Sequence, residues 1–356
     1  MITILSFILV IGVVVFLHEL GHFLAAKSVG VKVEKFYIGF NFFGLGIKRN
    51  YKGTEYGIGL FPLGGYVKVA GVIDESLDSK FTGAPDEFRS KNTIEKTWIM
   101  SAGVIMNFLL AIFLFTHLTY HGGINEPDPH PIIGHLIPEY PADLLGLKEG
   151  DQIISINGLT VSNWDEMAKE IHSKPDELIN IFWKHDNVML EGSIKTMIAE
   201  QFPWNKEIKQ GMLGIAPIYN HRDASILESF SIGFKQTYHW LGITCKSLIA
   251  LISGDVSMKE MAGPIMIAKM AGETATAGGL IALLGLMAII SINLGLINIL
   301  PIPGLDGGHV LIALIEGAIR RELPLKIKLG IQQVGLLLLL ILFFTIMFND
   351  VQRLMQ

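Results

Sequence analysis

The sequence has one cysteine, Cys245, among 356 residues, and only 17% of its residues are charged. A single thiol excludes an intramolecular disulfide framework and any cysteine-rich zinc or iron–sulfur site. A metal held by this chain must therefore be held by histidine and carboxylate. Positive charge is not in excess either: Lys+Arg number 28 against Asp+Glu 33, a formal net charge of −5. Nucleic-acid binders usually present a basic face, so the balance argues against that class. Ordinary soluble domains run at about 25% charged residues. Here 50% of residues are hydrophobic and mean hydropathy is +0.46, an apolar excess too large for one soluble core.

That excess is concentrated. Four stretches reach the roughly 20 residues that a helix needs to cross a bilayer: 1–26, 98–120, 280–300 and 331–348. The first is interrupted only by His18, Glu19 and His22, and the second has no charged residue. A cleavable signal peptide would carry a basic start, whereas the first Lys or Arg is Lys27, so the first stretch is expected to remain as a span. Basic clusters follow the first span (Lys27, Lys32, Lys35), precede the second (Arg89, Lys91, Lys96) and join the third to the fourth (Arg320, Arg321, Lys326, Lys328). If the spans alternate, all three fall on one side, which the positive-inside rule makes cytoplasmic. The opposite side then receives the long segment after the second span, and residues 121–232 hold 8 Lys/Arg against 17 Asp/Glu. Residues 226–253 are partly apolar but carry Glu228, Lys235 and Lys246, which reads as an amphipathic helix on the membrane surface, with a fifth span as the alternative.

Residues 31–70 are punctuated by glycines between short β-type runs, which predicts a small sheet. Apolar pieces within it are suited to dipping into the bilayer, and an open edge would accept a guest strand. An ordinary β-loop resting on the membrane fits the same pattern. Residues 130–217 predict a soluble α/β module: strands at 132–136 and 152–156, helices at 141–147 and 164–172, and a hairpin of 179–184 with 188–194 turning at Asp186-Asn187. Its run Gly150-Asp151-Gln152-Ile153-Ile154-Ser155-Ile156-Asn157-Gly158 resembles the signature of bacterial PDZ domains, and Gly211-Met212-Leu213-Gly214-Ile215 resembles their peptide-carboxylate loop.

The sharpest signal is His18-Glu19-Leu20-Gly21-His22. Positions i and i+4 of a helix share a face, so both imidazoles can reach one Zn²⁺, with Glu19 beside a metal-bound water as general base. Ionisable groups inside a span cost about 2.5–3.5 kcal/mol each on insertion scales, so three together need a function. A catalytic zinc takes three protein ligands and keeps one position open. The soluble metzincin pattern would need His where this chain has Ser28. The strongest candidate for the third ligand is Asp306, in Leu300-Pro301-Ile302-Pro303-Gly304-Leu305-Asp306-Gly307-Gly308-His309, where prolines and glycines break the third span on the side where the first one ends. His309 reads as a supporting or capping residue. Asn107, Asn293 and Asn298 sit inside spans and each needs a protein partner or a substrate; substrate handling is assigned to Asn298, beside the break, and the other two stay open.

Taken together, HExxH in a first span, a PDZ-like module after the second and an LDG motif in the third resemble the site-2 protease family of intramembrane zinc metalloproteases (peptidase family M50). The likeness runs over nearly the whole chain and is strongest to the bacterial RseP type, in Gly263-Pro264-Ile265-Met266, in residues 291–309 and in Phe348-Asn349-Asp350. The resemblance implies a polytopic α-helical membrane protein with four transmembrane helices, a membrane-associated β-sheet and one periplasmic PDZ domain, in the bacterial inner membrane, its active site near the cytoplasmic side. It implies Zn²⁺ held by His18, His22 and Asp306, Glu19 as general base, and Gly44, Leu45, Gly46, Asn298, Pro301 and Pro303 as substrate-clamping elements. The implied partners are single-pass membrane substrates, such as an anti-sigma factor or signal-peptide remnants, and a peptide or substrate ectodomain at the PDZ domain. Two departures stand out: there is room for one PDZ domain rather than two in tandem, and Gly103-Val104 stands where the family usually has Gly-Pro. Two rivals are a non-proteolytic PDZ membrane scaffold with a structural metal and a metalloprotease whose zinc lies outside the bilayer, with a glutamate as third ligand.

Overall fold

The computed structural model describes residues 1–41, 46–72, 83–200 and 209–355. They divide into two compact units, Met1–Thr119 with Ser225–Gln356, and Tyr120–Ala224.

In the first unit, α1 (Ile2–Ser28) runs without a break through the His-Glu motif into a small sheet. The sheet comprises β1 (Val33–Phe40), β2 (Gly46–Tyr51), β3 (Thr54–Gly59) and β4 (Phe61–Val69), in the order β2-β3-β1-β4. β1 lies parallel to β3 and antiparallel to β4, with Phe36 opposite Val67 and Val33 opposite Val69. That makes β2 and β4 the outer strands, and β4 is the one packed on α1. α2 (Thr93–Gly122) opens on a capping box in which the Glu95 N–H donates to Asn92 and the Asn92 N–H donates to Glu95, both at 2.9 Å. The reciprocal cap explains why this helix begins before the apolar stretch at 98–120.

The second unit holds β5 (Ile124–Pro127), β6 (Ile133–Leu136), α3 (Pro141–Leu145), β7 (Gln152–Ile156), β8 (Leu159–Thr160), α4 (Trp164–His172), β9 (Leu178–His185), β10 (Val188–Lys195), β11 (Met197–Glu200), β12 (Lys209–Met212), β13 (Ile215–Pro217) and β14 (Tyr219–Arg222). Strands β10-β9-β7-β8 form its main sheet around a core of Ile153, Ile156, Met167, Ile179, Ile181 and Leu213. Asp186 and Asn187 both take positive φ (43° and 67°), as a two-residue hairpin turn requires. The unit is wider than the predicted 130–217, because β5 and β14 pair antiparallel at its two ends.

The chain returns to the first unit with α5 (Ile226–Ser253), a helix capped by Ser225 over the residues where one was predicted. α6 (Pro264–Ile299) starts earlier than the predicted span at 280, and Gly279, with φ 62°, breaks its helical path where the apolar run begins. α7 (Asp306–Ile319) and α8 (Leu325–Leu354) complete the unit. Among the described residues, α1, α2, α6 and α8 are long and apolar enough to cross a membrane. Val10 and Val14 of α1 pack with Ala111 and Leu114 of α2 and with Met287, Ala288 and Ile292 of α6, so these three helices form one core.

Candidate metal centre

The residues that give α1 its polar interruption meet the break between α6 and α7. Pro301 and Pro303 carry no N–H, so the helix cannot continue through them. The chain turns back through a hydrogen bond from Leu305 N–H to the Ile302 carbonyl (3.1 Å), and Asp306 becomes the first residue of α7. A side chain at Gly307 would run into the Ile299 and Leu300 carbonyls, so glycine lets α7 start hard against the end of α6.

This places three ligand atoms in a triangle. His18 Nε2 and His22 Nε2 lie 3.1 and 3.2 Å from Asp306 Oδ2, and 3.2 Å from each other. Tetrahedral zinc with bonds of 2.0–2.1 Å separates neighbouring ligand atoms by about 3.3–3.4 Å, so the triangle is close to one face of such a site. Asp306 Oδ2 is buried with no hydrogen-bond partner, and both histidines are 6% exposed. Three electron-pair donors facing one point out of water is the arrangement a cation resolves. Among the described residues no other group of three His, Cys, Asp or Glu side chains is so placed.

The rings are held from behind. His22 Nδ1–H donates to the Ile99 carbonyl at 2.8 Å, which leaves Nε2 free to accept a metal. His18 Nδ1 lies 3.2 Å from the side-chain amide of Asn107, which is fully buried and whose Oδ1 has no other partner. With the amide turned so that Oδ1 faces the ring, Asn107 accepts from Nδ1–H as Ile99 does for His22. α2 approaches this closely because of two glycines. A Cβ on Gly103 would lie 2.7 Å from His18 Cε1, and one on Gly21 would lie 2.8 Å from Met106 Cγ.

Glu19 points toward the sheet. Its Oε2 accepts from Val67 N–H of β4 at 3.0 Å, and the start of a side chain at Gly65 would stand 3.7 Å from its Cγ. Asn298 brings its amide to 3.4 Å from His18 Nε2, at the metal-facing edge of the ring. Asn293 has a different use: Thr244 of α5 donates to its Oδ1 at 2.8 Å, tying α5 to α6. Pro301 is exposed, whereas Pro303 lies against Gly335 of α8. Gly46 opens β2 opposite Gly59, while Gly44 and Leu45 lie outside the described residues. His309 is not in the triangle and lines a cavity between α7, α2 and α8.

The contributions of Ile99, Gly103 and Val67 were not read from the sequence. Two act through backbone groups and one through a missing side chain, none of which has a residue-type signature. Asn107 did have one, as an amide in an uncharged span, but its partner is 89 residues away.

The family model for peptidase family M50 matches residues 6–342. A Campylobacter jejuni protein named as a candidate zinc metalloprotease is 34% identical over 98% of this chain and 93% of its own length. A protein of Rickettsia conorii with the same type of name is 34% identical over 99% of both chains. Zinc metalloprotease RasP of Geobacillus kaustophilus is 29% identical over 99% of this chain and 98% of its own length.

Proposed function

The chain belongs to peptidase family M50, a multi-pass membrane metalloprotease of the site-2 type, and on that premise we propose that it is an intramembrane zinc endopeptidase cutting transmembrane segments of single-pass proteins. The observation that carries this reading is the triangle of His18, His22 and Asp306, set at the junction of α1 with the broken segment after α6. Three protein ligands leave one position of a tetrahedral zinc open, as catalysis requires and a closed structural site does not allow. Bound there, zinc would act as Lewis acid toward the scissile carbonyl and raise the acidity of water.

The remaining work falls to the chain itself. Glu19 takes the proton of the attacking water and passes it to the leaving amine. Its bond to Val67 holds the carboxylate between metal ligands and sheet, so a substrate laid along the sheet arrives beside the base. A helical substrate hides its peptide bonds in its own hydrogen bonds and must unwind first. An extended guest strand regains those bonds from a sheet edge, and the edge beside Glu19 is β4; Gly46, with Gly44 and Leu45 before it, opens β2 at the opposite edge and is assigned a substrate contact away from the cleaved bond. The Asn298 amide, 3.4 Å from His18 Nε2, is placed to hold the unwound backbone, and Pro301 and Pro303 keep the neighbouring segment from closing into helix.

The second unit is read as a periplasmic PDZ domain that engages a peptide or substrate ectodomain, in a protein of the bacterial inner membrane with its metal centre near the cytoplasmic side. Anti-sigma-factor-like proteins and signal-peptide remnants are the proposed substrates. The test is metal removal from the purified protein. Stripping one zinc per chain with a chelator should abolish cleavage of a labelled transmembrane peptide, and adding zinc back should restore it. Cleavage that survives complete metal removal would overturn the assignment.

A further inference from the structure

Away from the metal centre, the N-terminal turns of α2 and α8 converge on the outer face of α7. The cavity between them is lined by Arg89, Lys96, His309, Glu316, Lys328 and Gln332, together with apolar and glycine residues. Four of these polar side chains are more than nine-tenths buried: Lys96 and Glu316 are each 7% exposed, Lys328 9% and Gln332 5%. One buried carboxylate serves two buried ammonium groups. Lys328 Nζ sits 2.5 Å from Glu316 Oε1, an oxygen that also accepts Leu323 N–H at 2.8 Å. Lys96 is left with long contacts, 3.8 Å to Glu316 and 3.5 Å to the half-exposed Glu322. The Gln332 side chain, 5% exposed, lines the same cavity.

A buried ammonium whose counter-charges lie 3.5 and 3.8 Å away is costly, and the buried Gln332 amide stands beside it. Both face a space of about 40 Å³. One water needs about 10–15 Å³ on that scale, so the space admits about three waters or the oxygens of one phosphate group, and is too small for a nucleotide. The wall is rich in donors, which selects an anion. Lys96 and Lys328 stand in the opening turns of two candidate membrane helices, on the side that carries the basic clusters. Anionic headgroups lie at that level of a bilayer.

We propose that this cavity is a phosphate-binding site, taking the phosphoryl group of an anionic phospholipid or a free phosphate ion. The phosphate oxygens accept from Lys96, Lys328 and the Gln332 amide, with Arg89 and His309 at the margin. Its occupant bridges α2 and α8 to α7, the helix that begins with Asp306, and so steadies the carboxylate of the metal centre from its far side. The site stands whether or not the chain is a protease, because none of the residues that bind the phosphate is in the metal triangle.

The experiment uses the full-length, zinc-loaded protein in neutral detergent. Radiolabelled inorganic phosphate is measured by equilibrium dialysis, and phosphatidylglycerol or diacylglycerol is added as competitor. The expected result is one saturable phosphate per chain. Gln332→Leu, which removes the amide and keeps the size of the side chain, should weaken it about tenfold or more, as loss of a hydrogen bond to a charged group implies, and Lys96→Met should do the same. A circular-dichroism spectrum and a gel-filtration profile equal to those of the parent show that each variant is folded, so one variant suffices if the other fails this check. Displacement by phosphatidylglycerol but not by diacylglycerol identifies the lipid headgroup as the source. Phosphate binding without such displacement identifies the free ion. Absence of saturable binding of either probe, or binding unchanged in both variants, overturns the proposal.

Discussion

At the scale of the residue, the centre is built from short motifs that supply candidate ligands and from neighbours that position them. The i, i+4 histidines were legible in the sequence because ionisable groups are improbable inside an apolar span, and Asp306 because it stands where prolines and glycines break the third span. What aims them was not. Ile99 acts through its carbonyl, and Gly103 through the absence of a side chain that would strike His18. Asn107 is the one such residue a mutation can test cleanly. Its amide is fully buried and paired with His18 Nδ1, so Asn107→Leu keeps the volume and removes the partner. Loss of a group that orients a metal-ligating histidine typically costs 10–100-fold in metal affinity. Zinc competition against a chelator should show a loss of about that size, with secondary structure unchanged; undiminished zinc affinity would show that Asn107 does not orient the ring.

At the scale of the element, the helices follow their apolar runs, and the differences lie at their ends. α2 extends past its apolar stretch from the Asn92–Glu95 cap and α8 through a polar first turn, and Gly279 splits α6 where the sequence placed the start of the span. The similarity of Gly263-Pro264 and Asn349-Asp350 to a known family was visible before their relation was. Asp350 is fully buried and accepts N–H groups from Gly263 and Ile265 at 3.0 Å and from Met266 at 3.1 Å, capping α6 from the far end of α8. No local pattern reveals a cap supplied from 85 residues away. Asp350→Ala orphans those donors at a buried helix start. It should cost about 2 kcal/mol or more, measured as a lowered midpoint of thermal unfolding in detergent, while the zinc content of the folded fraction stays that of the parent. An unchanged midpoint would mean the cap contributes nothing.

At the scale of the whole molecule, apolar runs marked the four candidate spans, and glycine-punctuated β-type runs and turn pairs marked the sheet after the first and the α/β module after the second. The closing pair β5 and β14 was missed because each strand is four residues long and its partner lies beyond the module. The basic clusters also have a structural consequence that charge counting does not reveal. Lys96 and Lys328, 232 positions apart in the chain, converge on Glu316, so the second and third clusters meet at one surface. The sidedness proposed from the same charges is testable in a Cys245→Ser background. Asp186→Cys should react with a membrane-impermeant maleimide in intact spheroplasts, and Arg320→Cys only after lysis; the reverse pattern would invert the assigned orientation.

The central claim, that the His18, His22 and Asp306 triangle with Glu19 hydrolyses peptide bonds within the membrane, is tested most directly by Glu19→Gln. Glutamine keeps the shape of the side chain and cannot take a proton from water. Zinc stoichiometry and cleavage of a labelled transmembrane peptide should be measured on the same reconstituted sample. The variant should hold one zinc per chain and cleave at least about 10²-fold more slowly than the parent, the range expected for loss of a general base. Cleavage at the parental rate by a zinc-loaded Glu19→Gln protein would contradict the account.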